Sequence, residues 1–501
     1  MRLNFLAIAT WLSVFLILAK CDDSNIGTFW FYSDFHVDLE QERLNNTGYW
    51  GDYTSDTNMI VAFTGIEIGN DQGYAENAPD FVVWGGNSLR EKAPQSKQML
   101  HDVIANLSAH FRNAFSPKEI PIITLIGNYD VYPTDQMSSF DKDRVRIDWC
   151  TELSVSKLLW RSWFEYLPPK GLSDVGDNFK KFCYYAWQPR KNLVVFGLNS
   201  LLWAVENKLT DGEDPLEQFN WLELGLKWAR ANNIKVILAT HHPFGLRDFR
   251  TEREFFLQEI YNERLVTIYR KFSDVIITTL AAHQHVDTFK VILNETFYPI
   301  GNMFLNPSVS PKNIDGVGQT NPRFRKYFYD RDRGVITDYI QFYLDLSVKA
   351  PSWRVEYRAT HLYKLKDLSH HEMARLLDEF TEFDNEEERW SRFWTHQLGG
   401  RPHATSEFVP DGQCSEARSK CRCKMICAMR HVDRVESLKC YDFCDKNEKP
   451  ALTTIDQLIN PREEPKKDIG QTVGIVIGVI LAVALIGING FAVYRKCRNS
   501  S

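Results

Sequence analysis

The chain is 501 residues long, enough for one large catalytic domain with appendages, and at 44% hydrophobic, 13% aromatic and 25% charged it has the balance of a globular protein. A formal charge of -6 and the lack of a long Lys/Arg run exclude a surface that wraps nucleic acid or another polyanion.

At the N-terminus, Arg2 precedes an apolar stretch ending near Ala19-Lys20-Cys21. This pattern over residues 1–20 resembles a secretory signal peptide, with an uncleaved signal anchor as the alternative. From residue 22 onward apolar strand-like runs alternate with amphipathic segments. Strands are predicted at 28–32, 81–84, 120–126, 193–198, 236–239 and 275–280. Between them, Met99, Val103, Leu107 and Phe111 recur at four-residue spacing and predict a helix over 96–115. Phe219, Leu222, Leu226 and Ala229 do the same over 217–233. Strands alternating with helices predict a layered α/β domain, and residues 370–397 also have a helical pattern.

The cysteines fit an exported, oxidising setting. Cys150 and Cys183 can pair within the main domain, and Cys414, Cys421, Cys423, Cys427, Cys440 and Cys444 cluster near the C-terminus. Cys421-x-Cys423 with Cys427 leaves a zinc site as the alternative to disulfides, but no suitably spaced histidine pair lies nearby. Asn-x-Ser/Thr acceptors stand at Asn45, Asn106 and Asn294. The segment 451–470, rich in Pro, Glu and Lys, is a predicted stalk, and 471–494 is apolar and long enough to span a bilayer. Arg495, Lys496 and Arg498 follow at once and place the tail, 495–501, in the cytoplasm. The expectation is a type I single-pass protein at the cell surface or in an endolysosomal membrane.

The ends of the predicted strands carry the chemistry. The first is followed by Ser33-Asp34-Phe35-His36, the second by Gly85-Gly86-Asn87, and the third by Gly127-Asn128-Tyr129-Asp130. The run at 236–239 leads into Thr240-His241-His242-Pro243, and the run at 275–280 into Ala282-His283-Gln284-His285. Each group alone is a weak signal, since Asp-x-His and His-x-His are common surface patterns. Their succession, each after an apolar strand, predicts that metal-ligating side chains converge on one sheet edge.

That succession resembles the signature of the calcineurin-like metallophosphoesterases. The neighbouring segments FWFYSDFHVD, FNWLELGLKWA and NPSVSPKN, with the C-terminal cysteine cluster, are similar to the acid sphingomyelinase-like phosphodiesterases in particular. The resemblance implies a layered β-sandwich flanked by helices, with a metallophosphoesterase domain over 22–395 and a helical Cys-rich region over 396–450. It also implies two zinc ions and hydrolysis of a phosphodiester or nucleotide phosphate bond in a small-molecule or lipid substrate. Carried over by position, Asp34, His36 and His285 would hold one ion and Asn128, His241 and His283 the other. The bridging carboxylate position falls on Asn87, and the general-acid histidine position on Tyr129.

Both departures weaken the chemistry. An amide offers one neutral oxygen where a carboxylate would bridge two cations. A phenol is poorly matched as an acid at neutral or acidic pH. Asp52, the nearby aspartate that follows a glycine, sits in a polar loop rather than after a strand. The expectation is therefore an altered or slowed phosphodiesterase that holds metal at the Asp34, His36, His285 set and weakly at the other. The alternative is a non-catalytic ectodomain acting as a surface binding protein.

Overall fold

The structure, a computed structural model, describes residues 25–446 apart from 41–49, 75–77, 92–94, 116–119, 139–149, 151–174, 249–252, 315–317, 382–388, 398, 400–413 and 415–418. The predicted signal peptide, stalk, membrane span and tail, and the acceptor Asn45, lie outside the described residues. Among the described residues no helix is long and apolar enough to cross a membrane.

Two mixed six-stranded sheets form the centre. The first contains β1 (Ile26–Tyr32), β2 (Phe81–Trp84) and β3 (Ile122–Thr124), side by side and parallel. Antiparallel β12 (Arg323–Asp330), β13 (Ile336–Leu344) and β14 (Trp353–Arg358) extend it beyond β1. The second sheet has the order β4 (Tyr185–Arg190), β5 (Leu193–Leu198), β6 (Lys235–Thr240), β7 (Ile276–Ala281), β9 (Pro299–Leu305) and β8 (Thr288–Leu293). Its strands are parallel from β5 to β9, with antiparallel edges. A short hairpin, β10 (Lys312–Ile314) and β11 (Gly318–Thr320), stands apart.

Parallel neighbours are joined by crossovers that carry helices, except β7 and β9, which are joined through β8. Helices α1 (Met59–Tyr74) and α2 (Lys97–Phe115) serve the first sheet. Following α3 (Val175–Phe182), α4 (Gln218–Ala231) and α5 (Glu259–Lys271) serve the second. Helix α4 buries Phe219, Leu222, Leu226 and Ala229, the stripe that the sequence spacing predicts. The third strand is shorter than its apolar run, ending at Thr124 rather than 126.

Strand β1 shows why the layers form. Phe29, Trp30, Phe31 and Tyr32 are all fully buried, and successive side chains point to opposite faces. Phe29 stacks on Phe81 and Tyr327, and Tyr327 in turn meets Phe304 of the second sheet. Tyr32 packs edge-on against Phe111 of α2 and its hydroxyl reaches Gly65 O of α1 at 3.5 Å. One face is thus covered by the opposite sheet and the other by helices.

Toward the C-terminus lie α6 (Ala359–Tyr363), α7 (His370–Glu379) and α8 (Arg389–Gln397), so the helix predicted over 370–397 is two helices. Helices α9 (Lys420–Arg430) and α10 (Arg434–Lys446) are stapled by Cys423–Cys444 and Cys427–Cys440. Among the described residues Cys414–Cys421 and Cys150–Cys183 are bonded as well, so these sulfurs are not thiolate ligands for zinc. Buried Lys290 on β8 ties α9 to the sheet, donating to Ala428 O at 3.0 Å, Leu246 O at 2.8 Å and Asp248 Oδ1 at 2.6 Å. Asn106 is exposed on α2, and Asn294 accepts from Thr296 and Tyr298 in a turn.

Candidate metal centre

The C-terminal ends of β1, β2 and β3 face those of β6 and β7, so five loops distant in sequence meet at one place. The loops after β1 and β2 prolong the parallel pairing: Asp34 N donates to Gly86 O at 2.9 Å, His36 N to Asn87 O at 3.1 Å and Val37 N to Ser88 O at 2.7 Å. The sheets are joined across the site by His283 N, which donates to Asp34 Oδ2 at 3.1 Å, and by Ser310 N, which donates to Asp34 O at 3.0 Å.

Holding these loops so close strains the backbone. Asp34, His36, Asn87, His283 and His285 all have positive φ, between 44° and 68°, a region costly for residues with a Cβ. The turn at Gly127 shows the closeness of approach, because a Cβ there would collide with the Asn87 side chain. Asp130 pins this turn. Its Oδ2 accepts from Asn87 N at 2.7 Å and Gly127 N at 2.9 Å, and its Oδ1 from Ser88 N at 2.8 Å. Asp52, in contrast, caps its own turn by accepting from Thr54 N at 2.7 Å and Ser55 N at 3.0 Å.

The ligand atoms of Asp34, His36 and His285 lie within 4.8 Å of one another, all buried. Asp34 Oδ1 is 3.2 Å from His285 Nε2, 3.8 Å from His36 Nε2 and 3.9 Å from His241 Nε2, so one oxygen faces three imidazoles. Glu91, which the sequence reading passed over, adds Oε1 at 3.1 Å from His36 Nε2 and 3.9 Å from His285 Nε2. Beside this group, His241, His242 and His283 also bring ligand atoms within 4.8 Å, and Asn128 Oδ1 is 3.2 Å from His241 Nε2. His242, too, was not singled out from sequence; its Nδ1 is 3.0 Å from Ser200 Oγ.

Tautomers decide what these nitrogens offer. Carbonyl oxygens only accept, so His36 Nδ1, 3.1 Å from Leu89 O, and His241 Nδ1, 2.6 Å from Gly85 O, must each carry the proton. His241, which burial pushes toward its neutral form, then presents an unprotonated Nε2 to the site, and His36 turns its Nε2 the same way. The Asn128 amide is oriented by its Nδ2, which donates to Asp135 Oδ1 at 2.8 Å, so its oxygen faces the His241 lone pair. Two acceptors facing each other at 3.2 Å repel unless a cation lies between them. Around His285, the acceptors Asp34 Oδ1 and His36 Nε2, each at 3.2 Å, exceed what one N–H can satisfy. Among the described residues, His242 Nε2 and His283 Nδ1 are buried with no hydrogen-bond partner. This donor set fits divalent cations bound by nitrogen and oxygen.

Charge follows the same pattern. Burial raises the Asp34 carboxyl, but His285, His36 and His241 outweigh it and hold the group well below the usual carboxylate range. Burial lowers His241, His283 and His285, which favours the neutral form that ligates. Glu91 Oε2 is ion-paired to Lys312.

Asn87 and Tyr129 sit in the same cluster with different contacts. Asn87 Nδ2 donates to Asp34 Oδ1 at 3.0 Å and its Oδ1 accepts from Tyr129 N at 2.9 Å, so the amide braces the aspartate and its oxygen is engaged by the backbone. The Tyr129 ring packs edge-on to His36 with centroids 5.2 Å apart. Burial, then Glu91, Asp135 and Asp56, push its hydroxyl pKa up, so the phenol keeps its proton.

Comparison with known proteins matches two family models end to end. The calcineurin-like phosphoesterase model covers residues 27–287, and the model of the acid sphingomyelin phosphodiesterase C-terminal region covers 298–447. The chain is 26% identical to the acid sphingomyelinase-like phosphodiesterase 3b of Homo sapiens over 81% of this chain and 88% of that one. It is 24% identical to the cyclic GMP-AMP phosphodiesterase SMPDL3A of Homo sapiens over 83% of this chain and 90% of that one. Among solved structures it resembles a dimetal phosphatase from Danio rerio, with 13% identity, a TM-score of 0.40, and coverage of 63% of this chain and 95% of that one.

Proposed function

Because the chain belongs to the calcineurin-like phosphoesterases, we propose that it is an exported, membrane-anchored phosphodiesterase that uses two divalent cations, in the first instance zinc, with a reaction slowed at two positions. The observation that carries this reading is the facing of two acceptors, His241 Nε2 and Asn128 Oδ1 at 3.2 Å, beside the buried cluster of Asp34, His36 and His285. Bound cations would supply an activated water and polarise the phosphate. One would rest on Asp34, His36 and His285, the other on Asn128, His241 and His283.

The chain's own residues do the remaining work. Leu89 O and Gly85 O hold His36 and His241 in the ligating tautomer, as outer-shell partners do in metal sites. Asn87 and His283 N fix the two oxygens of Asp34. Tyr129 stands at the position that would meet the leaving oxygen. Its phenol remains protonated and donates a hydrogen bond, but releases the proton less readily than an imidazolium would. The substrate class is a small phosphodiester, in line with the relatives' names.

Hydrolysis of bis(p-nitrophenyl) phosphate by the purified full-length chain with added zinc, scanned from acidic to neutral pH, tests the proposal. Activity removed by His36→Ala or His241→Ala supports it. A native chain that stays inactive, yet gains activity in the Asn87→Asp/Tyr129→His double variant, would instead favour the non-catalytic binding protein. The engagement of the Asn87 oxygen by Tyr129 N is the feature that supports this second reading.

A further inference from the structure

Resting on the metal-site reading above, we propose that Glu91 is a carboxylate ligand of the cation held by Asp34, His36 and His285, and supplies the negative charge that Asn87 does not. Two carboxylates face the same pair of imidazoles. Glu91 Oε1 lies 3.1 Å from His36 Nε2 and 3.9 Å from His285 Nε2, at the edge of the His36 ring away from Leu89 O. Asp34 Oδ1 lies 3.2 Å and 3.8 Å from the same two nitrogens.

The contact between Glu91 and His36 is the informative one. His36 Nδ1 is committed to Leu89 O, so Nε2 is the ring atom that faces Glu91 Oε1, at 3.1 Å. A metal cation shared between the two atoms satisfies both. The carboxylate is also pre-oriented. Its other oxygen, Oε2, is ion-paired to the nearly buried Lys312, which leaves Oε1 for the site. The backbone is placed by Arg90 N donating to Val37 O at 3.2 Å and Glu91 N donating to Asp56 Oδ2 at 3.0 Å, an extension of the pairing that carries His36 itself.

The charge count gives the reason for a second carboxylate. Without Glu91, the residues facing two divalent cations carry one negative charge, that of Asp34, because Asn87 and Asn128 are neutral amides and the imidazoles are neutral. A glutamate at 91 doubles it, and it does so by capping one cation from the side rather than by bridging both.

The test is a zinc titration of the chelator-stripped full-length chain against a chromogenic competitor, with the absorption spectrum of bound cobalt as a second readout. Glu91→Gln changes no shape, and should weaken the tighter zinc site by about tenfold or more and alter the cobalt spectrum. Glu91→Asp, which keeps the charge, should recover part of the loss. If Glu91 serves only as the partner of Lys312, Glu91→Gln and Lys312→Met will lower the apo-protein Tm alike and leave zinc affinity unchanged, which overturns the proposal. That outcome with hydrolysis retained leaves the phosphodiesterase reading standing, whereas a native chain that takes up no metal overturns both.

Discussion

Asn87 donates from Nδ2 to Asp34 Oδ1 at 3.0 Å, so an amide braces the aspartate at the position where the family resemblance places a carboxylate between two metals. Asn87→Asp would put two buried carboxylates in contact and remove that hydrogen bond. The apo protein should therefore lose Tm, by about 2–4 kcal/mol of stability, while saturating zinc restores more Tm than in the native chain. Differential scanning calorimetry with and without zinc checks this, and a variant whose apo Tm is unchanged contradicts it.

Tyr129 packs against His36 and keeps its proton. Tyr129→His should raise kcat/KM for a diester with an alkyl leaving group by about tenfold to a thousandfold, within the usual range of general acid catalysis. For bis(p-nitrophenyl) phosphate, whose leaving group needs no proton, the gain should be small. Equal gains on both substrates would show that the tyrosine limits something other than proton transfer.

Asp130 accepts from three backbone N–H groups that join the loops after β2 and β3. Asp130→Asn turns an NH2 toward at least one of these donors. A loss of about 2–4 kcal/mol in urea unfolding is expected, with weaker zinc uptake because both loops carry site residues. An unfolding midpoint unmoved by the substitution would contradict this role.

A buried histidine, His431, and a half-buried one, His370, weaken the fold in acid. Burial lowers His431 to about 3, with Arg430 adding to it, and burial lowers His370 to about 4, with His371 adding to it. Their folded pKa values lie below the unfolded value of about 6.5. The stabilisation is therefore complete above pH ~6.5 and is lost as pH falls toward ~4 and ~3, because the unfolded chain binds the protons first. Tm should fall steadily from pH 7 to pH 4, and His431→Phe should flatten part of that fall. A Tm that rises on acidification contradicts the assignment.

The sequence discloses the strands whose burial is made by continuous apolar runs. Residues 28–32 and 236–239 read as strands because both faces of β1 and β6 are covered, and each ends where polar residues begin. Strand β12 escapes such a reading because Arg323 and Arg325 are fully buried within it, which breaks the apolar pattern. Arg325 is accommodated by Gln341, opposite it on β13, at 2.7 Å and by an ion pair with Asp287 before β8. Asp34, His36, His241, His283 and His285 stand out at strand ends, whereas Glu91 lies four residues past Asn87 in a polar stretch. Only the pairing of the loops after β1 and β2 brings it to His36. The spacing of the six C-terminal cysteines likewise leaves their connectivity open, since it depends on how α9 and α10 face each other.

The most direct test is anomalous diffraction at the zinc edge from crystals of the full-length chain grown with zinc. A peak is expected about 2.0–2.2 Å from Asp34 Oδ1, His36 Nε2, His285 Nε2 and Glu91 Oε1, with a weaker one near Asn128, His241 and His283. A map with no anomalous density among these side chains, in crystals where zinc is present, would contradict the claim that they form a metal centre.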